Sequence, residues 1–193
     1  GFSYAALQAE AILHFLLAAF GMYFLARRLA RGRIGAWVAA VAFTFGAYLT
    51  SYPPLQLAIL ETVAWLPWIV LCLDHAAGHL AQGPSRRAVA PMILAGLLFG
   101  IALTAGHPQS ALLIGYAGLA FAVFRGLQGS RDKSWGSVLG RLAALLAFLP
   151  LGAAVAAAQL LPSFEYMRLS TRAGLTIDAA GGGFTPYDLI QFV

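Results

Sequence analysis

The chain has 193 residues, of which 61% are hydrophobic and 10% are charged, and its formal net charge is +5. Soluble domains average about 45–50% apolar and about 25% charged residues, so this composition excludes an ordinary soluble domain and indicates a polytopic membrane protein. Nucleic acid is not the expected partner, because the basic residues lie in short connections between apolar segments, where membrane topology accounts for them. The single cysteine, Cys72, excludes an internal disulfide and a multi-cysteine metal site.

Six apolar stretches are long enough, or nearly so, to cross a bilayer, which takes about 20 helical residues. They run over residues 4–29, 34–50, 55–73, 88–105, 108–127 and 138–161. Pro67 in the third stretch and Pro150 in the sixth predict kinks, since neighbouring helices must satisfy the carbonyl that each proline frees. The predicted fold is all-α, a polytopic transmembrane helical bundle of about six spanning helices over residues 1–166.

The hairpin between the fourth and fifth helices is a short polar break in a long apolar run. Gly106 can end one helix, because glycine tolerates the left-handed conformation. Pro108 suits the first turn of the next helix, where its missing N–H costs nothing. His107 and Gln109 are therefore predicted to lie at one membrane surface.

Two further patterns concern packing and the end of the chain. Gly96 and Gly100 form a GxxxG pattern, and residues 152–158 are mostly small, which favours close helix packing. Residues 167–193 predict an extracytoplasmic loop and then the start of a further helix at Thr185-Pro186. Because Gly1-Phe2-Ser3 is no signal peptide and the last residues stop within an apolar run, we expect an internal piece of a longer protein.

Basic residues occupy alternate connections, apart from Arg168 and Arg172 after the sixth helix. Those in the alternate connections are Arg27, Arg28, Arg31, Arg33, Arg86, Arg87, Arg125, Arg131, Lys133 and Arg141. By the positive-inside rule, these loops face the cytoplasm. The His107 hairpin and residues 162–185 are then predicted to be extracytoplasmic.

Polar side chains gather in the outer halves of the predicted helices, whereas the inner halves hold almost nothing comparable. Glu10 and His14 are four residues apart and share one face of the first helix. The rest of this outer set comprises Gln56, Glu61, His107, Gln109, Gln159, Glu165 and Arg168. Ionisable groups within a bilayer are costly, so they are functional candidates. Together with Arg172 the set suits an anionic headgroup, because arginine binds phosphate bidentately and a carboxylate can accept a hydroxyl proton.

Each member also has a structural interpretation, which the sequence leaves open. Glu10 and His14 can pair with each other or with a neighbouring helix. Glu61 can reach water from the outer leaflet. His107 can cap the helix that begins at Pro108.

Charged residues outside the helices can also be interpreted as structural or solvent-exposed rather than functional. Arg168 and Arg172 can be solvated loop charges. His75 and His79, beside Asp74, have a spacing that suits metal ligands, but they lie on a predicted cytoplasmic loop without a clear third ligand. We interpret them as solvated surface. No cofactor is predicted, and the sequence does not decide whether a divalent metal is required. The spacing of His14 and His107 does not support binding of haem or chlorophyll.

Three motifs resemble segments of YfhO-type bacterial membrane proteins. They are GHPQSALL at 106–113, QLLPSFEY at 159–166 followed by LSTR at 169–172, and TPYDLI at 185–190. The stretches at 46–48 and 66–68 are compatible with the same family. The resemblance extends over most of the chain, from the first helix to the end.

That family is similar to the GT-C superfamily of polytopic glycosyltransferases. The resemblance implies transfer of a sugar from a polyprenyl-phosphate donor on the extracytoplasmic side of the bacterial plasma (inner) membrane. It also implies a catalytic acid in the first outer loop after the first helix, and residues 51–54 contain no acid. We therefore expect the catalytic acid to precede Gly1.

The expected substrate-binding residues are Glu10, Glu61, His107, Gln109, Gln159, Glu165, Arg168 and Arg172. Arg168 and Arg172 would contact the donor phosphates. The sugar and acceptor end would be shaped by Glu10, Glu61, His107 and Gln109. The expected partners are membrane lipid and a polyprenyl-phosphate sugar. The alternative is a non-catalytic accessory or assembly subunit of a larger membrane complex, with other membrane subunits as partners. A transporter or flippase is not favoured, because the predicted inner halves lack the polar path that it would need.

Overall fold

The structure, a computed structural model, describes residues 3–30, 32–51, 56–81, 83–128 and 134–170. Within these ranges the chain forms helices and no strand. It divides into two compact units, Gly1–Ala157 and Ala158–Val193. The helices of the first unit are α1 (Tyr4–Ala30), α2 (Arg33–Thr44), α3 (Ala47–Ser51), α4 (Leu57–Val63), α5 (Leu66–Leu80), a 3-10 helix (Arg86–Ala88), α6 (Val89–Thr104), α7 (Pro108–Gln128), α8 (Trp135–Leu146) and α9 (Phe148–Val155). The helix α10 (Ala157–Leu169) supplies the described part of the second unit, and none of its residues is buried.

Six helical segments are long and apolar enough to cross a membrane, as predicted. They are Tyr4–Ala30, Arg33–Ser51, Leu57–Leu80, Arg86–Thr104, Pro108–Gln128 and Trp135–Val155. The third extends to Leu80, beyond the predicted end at 73. The sixth lies earlier than the predicted 138–161, because the helix breaks at Ala156 and residues 157–161 belong to α10. The all-helical bundle of a multi-pass membrane protein is thereby supported.

Both predicted kinks are confirmed as breaks within a span. The helix α4 ends at Val63, four residues before Pro67, and α8 ends at Leu146, four residues before Pro150. A proline ring collides with the carbonyl four residues earlier and cannot donate a hydrogen bond to it. The helix therefore stops at that carbonyl in both spans, and the next helix begins at Leu66 in one and at Phe148 in the other.

The helix α5 lies at the centre of the first unit, where it packs against α1, α6, α7 and α8. Its span is 56% buried, compared with 17–39% for the other five. Ile69 and Leu73 on α5 pack with Phe99 and Phe148, whose rings are 5.4 Å apart. The outer spans expose their large apolar side chains, as expected of helices that face lipid rather than water.

The GxxxG pattern brings α6 directly against α9. A Cβ on Gly96 would lie 2.6 Å from Cβ of Leu151, and one on Gly100 would lie 2.5 Å from Cβ of Val155. Any larger residue at either glycine would force the two helices apart. The predicted packing role of this pattern is confirmed.

Candidate functional site

The His107 hairpin has the predicted backbone geometry. Gly106 is left-handed, with φ of +92°, and α7 begins at Pro108. The Ser110 amide donates to Nδ1 of His107 over 3.2 Å. Because an Nδ1 that accepts this bond carries no proton, the Ser110 hydroxyl also donates to it, over 2.8 Å. His107 is therefore a helix cap, as one of its two interpretations predicted, and its Nε2 is not used by the cap.

Tyr48 joins this hairpin to the end of the second span. Its hydroxyl lies 3.2 Å from Oγ of Ser110. Since the Ser110 hydrogen is already donated to His107, Tyr48 is the donor. We call Tyr48, His107 and Ser110 the hairpin cluster. Ser110 was not among the predicted site residues, because a serine in the first turn of a helix is ordinary.

Glu10, His14 and Glu61 form a second group, which we call the carboxyl cluster. The carboxyl groups of Glu10 and Glu61 lie close enough to interact electrostatically, and the imidazole of His14 lies within electrostatic range of Glu61. Nδ1 of His14 donates to the Glu10 carbonyl over 2.9 Å, which leaves Nε2 as an acceptor in the neutral ring. The predicted meeting of Glu10 and Glu61 is confirmed.

The helix α4 lies between these two clusters. It carries Glu61, and its Ala58 lies 3.8 Å from the position that a Cβ on Gly106 would take. Leu49, next to Tyr48, packs with Ile59 and Leu60 of the same helix. The carboxyl cluster and the hairpin cluster therefore share one end of the bundle, which we call the hairpin end.

Four of the remaining predicted site residues have exposed side chains. Gln109 is exposed in the first turn of α7. Gln159, Glu165 and Arg168 are exposed along α10 in the second unit. Arg172 lies outside the described residues.

A third group occupies the opposite end of the bundle, where little polarity was expected. Asp74 is 3% exposed. Its Oδ2 lies 2.8 Å from Nε of Arg28, and its Oδ1 lies 2.9 Å from Nε of Arg125. The first contact is a hydrogen bond, whereas the second is an ion pair without hydrogen-bond geometry. The prediction that the inner halves are nearly free of polar groups was wrong, because α5 continues past the predicted end and carries Asp74 into the bundle.

Arg141 completes this group, which we call the arginine cluster. It is 7% exposed, and Arg125 is close enough to repel its charge. A cavity of about 300 Å³ is lined by Arg28, Leu29, Asp74 and Arg125. His75 and His79, in contrast, are exposed, in agreement with the solvated interpretation. Among the described residues, no three His, Cys, Asp or Glu side chains form a group that could hold a metal ion.

No protein-family model, curated protein or solved structure matches this chain.

Proposed function

We propose that the chain is part of a membrane glycosyltransferase of the GT-C type, which transfers a sugar from a polyprenyl-phosphate donor at the hairpin end of the bundle. The observation that supports this is the carboxyl cluster. Two carboxyls from different spans lie within electrostatic range of each other, and the imidazole of His14 lies within range of Glu61. Groups of this kind are expensive inside a bilayer and mark sites that handle polar substrates.

The proposed reaction needs a hydroxyl acceptor and a phosphate leaving group. The acceptor oxygen bonds to the anomeric carbon while the bond from that carbon to the phosphate oxygen breaks. The polyprenyl phosphate leaves with the electron pair, and the hydroxyl proton passes to a base. We assign that base to a carboxylate outside the described residues. Glu10 and Glu61 position the sugar hydroxyls, since carboxyl oxygens accept hydrogen bonds from hydroxyl groups.

The other predicted residues take supporting roles. Nε2 of His107 and the exposed Gln109 side chain extend the sugar and acceptor end. Arg168 and Arg172 bind the donor phosphates, because a guanidinium matches two phosphate oxygens at once. Gln159 and Glu165 are the further substrate-binding residues of this proposal. The hairpin end would face the extracytoplasmic side of a bacterial plasma membrane, with the basic connections in the cytoplasm.

The test measures sugar transfer from a radiolabelled polyprenyl-phosphate hexose by the full-length protein in membranes. Glu61→Gln and Glu10→Gln each keep the side-chain shape but replace the carboxyl with a neutral amide. We expect each to lower transfer by about a hundredfold, the loss typical of a misplaced substrate. Gln8→Ala is the matched control, because Gln8 is exposed on α1, two residues before Glu10. Normal expression and unchanged transfer in both glutamate variants would contradict the proposal, as would wild-type protein that transfers no sugar.

A second candidate is a non-catalytic accessory subunit of a larger membrane complex. The hairpin cluster favours it, because the contacts of His107 with Ser110 serve helix capping. On this reading the carboxyl cluster holds α1 against α4. The test is whether a membrane partner co-purifies with the chain in stoichiometric amounts. A partner that is lost in both Glu10→Gln and Glu61→Gln, from a wild-type protein without transferase activity, would support the accessory function.

A further inference from the structure

The arginine cluster carries more positive charge than its own carboxylate balances. Two guanidinium groups, those of Arg28 and Arg125, each lie against one oxygen of the Asp74 carboxylate. Arg141 adds a third positive charge, and it lies within electrostatic range of Arg125. His75 also interacts electrostatically with Arg28 and Asp74, but it is exposed and supplies no negative charge. The single negative charge of Asp74 is therefore already exceeded by the two arginines that pair with it.

Arg141 points into the bundle and finds no partner there among the described residues. Leu145, four residues later on the same face of α8, packs with Ala77 of α5 and Ala122 of α7. Arg141 shares that face, and all three of its guanidinium nitrogens are buried without a hydrogen-bond partner in the described part of the chain. A buried cation without a partner is strongly unfavourable, so such a group is kept where something pairs with it.

We propose that the arginine cluster is a binding site for a phosphate group, held by Arg141 together with Arg125 and Arg28. The adjacent cavity, of about 300 Å³, falls at the small end of the range for ligand sites. Arginine is the preferred residue for phosphate, because its planar fork donates to two oxygens in parallel. This site is separate from the proposed glycosyltransferase site and does not depend on it.

The position of the cluster indicates two sources for that phosphate. Arg28 and Arg125 lie within the last turns of α1 and α7, where a membrane helix reaches the lipid headgroups. Basic pockets between helices at this level hold anionic lipid headgroups. A free phosphate ion from the adjoining aqueous phase carries the same chemistry. The two sources are separated by experiment.

The experiment compares the full-length protein in phosphatidylcholine nanodiscs, with phosphatidylglycerol added, with inorganic phosphate added, or with neither, at constant ionic strength. The midpoint of thermal unfolding is read from tryptophan fluorescence. We expect one addition to raise the wild-type midpoint by roughly 5–10 °C, as a ligand near a hundredfold above its Kd would. A rise with phosphatidylglycerol alone identifies a lipid, and a rise with inorganic phosphate identifies the free ion.

Arg141→Met distinguishes a binding site from a structural brace. If Arg141 binds phosphate, the variant is at least as stable as wild type in plain phosphatidylcholine, because it loses an unpaired buried charge. It then keeps only about half of the ligand-induced shift, because its Kd, measured by native mass spectrometry, weakens about tenfold, or about 1.4 kcal/mol. Arg33→Gln, at an exposed arginine on α2, controls for general attraction to an anionic bilayer and keeps the full shift.

Three results would overturn the proposal. One is a wild-type midpoint that neither addition moves. Another is an equal loss of the shift in Arg33→Gln and Arg141→Met, which reports surface charge only. The last is an Arg141→Met variant that is less stable under every condition yet keeps the full shift. If that variant does not fold, Arg141→Lys replaces it, and an unweakened Kd for Arg141→Lys contradicts a bidentate arginine contact.

Discussion

The two ends of the bundle treat charge in opposite ways. At the hairpin end, the hydrogen bonds of the hairpin cluster join a histidine cap and two hydroxyls, and the carboxyls of Glu10 and Glu61 lie within electrostatic range of each other. At the opposite end of the bundle, which holds the arginine cluster, full charges face one another, and Asp74 lies between two guanidinium groups. Neutral hydrogen bonds orient groups at modest energy, whereas buried charges depend on every partner being present. Loss of one hydrogen-bonding group at the hairpin end should therefore cost little stability, whereas loss of the Asp74 carboxylate at the opposite end should cost much more.

Removal of Asp74 tests that contrast most severely. Asp74→Ala leaves the guanidinium groups of Arg28 and Arg125 without their carboxylate. Loss of one partner in a buried pair costs about 3–5 kcal/mol. The side chains of Arg28 and Arg125 are 41% and 29% exposed and can turn toward water, so we expect the lower end, about 3 kcal/mol. Reversible denaturation in detergent measures the free energy of unfolding, with His75→Ala, at the exposed neighbour, as control. A loss under about 1 kcal/mol would mean that the charges at this end are already solvated.

His107→Ala should have a smaller effect at the hairpin end. It removes the side-chain acceptor for the first-turn amide of α7, and a lost helix cap typically costs about 1 kcal/mol. Gln109→Ala, two residues later and exposed, should leave the same unfolding free energy unchanged. A loss as large as that of Asp74→Ala would remove the contrast between the two ends.

Tyr48→Phe should have the smallest effect. It deletes only the hydroxyl that donates to Ser110, a neutral hydrogen bond worth about 0.5–1 kcal/mol net. Tyr116→Phe, at an exposed tyrosine on α7, is the matched control in the same denaturation series. If Tyr48→Phe proves indistinguishable from Tyr116→Phe, the hydroxyl does not join α3 to the hairpin.

The sequence predicted the parts of the fold that depend on local chemistry. Hydropathy marks the six spans, Pro67 and Pro150 mark the breaks, and Gly106 with Pro108 marks the turn. The meeting of Glu10 and Glu61 was also predictable, because the alternation of spans brings the early part of the first and the early part of the third to one side. These features depend on the lengths of the segments and their order along the chain. None of them requires knowledge of which helix faces contact each other.

The arginine cluster could not be read in the same way. Asp74 follows the apolar run that ends at Leu73 and precedes two histidines, so it resembles the start of a loop. Its pairing with Arg28 joins residues 46 apart in the sequence, and only the central position of α5 brings them together. The sequence feature that could have indicated a longer helix is the alanine pair at 76–77, which continues the buried helical face beyond Asp74.

The separation of the two ends across a membrane is tested most directly by cysteine accessibility. The single native cysteine, Cys72, is buried and is replaced by serine. Gln109→Cys, at the hairpin end, and Gln128→Cys, at the far end of α7, are introduced one at a time. A membrane-impermeant maleimide is then applied to intact cells. We predict that Gln109→Cys is labelled in intact cells and Gln128→Cys only after permeabilisation. Labelling of both positions in intact cells would contradict the two-ended arrangement.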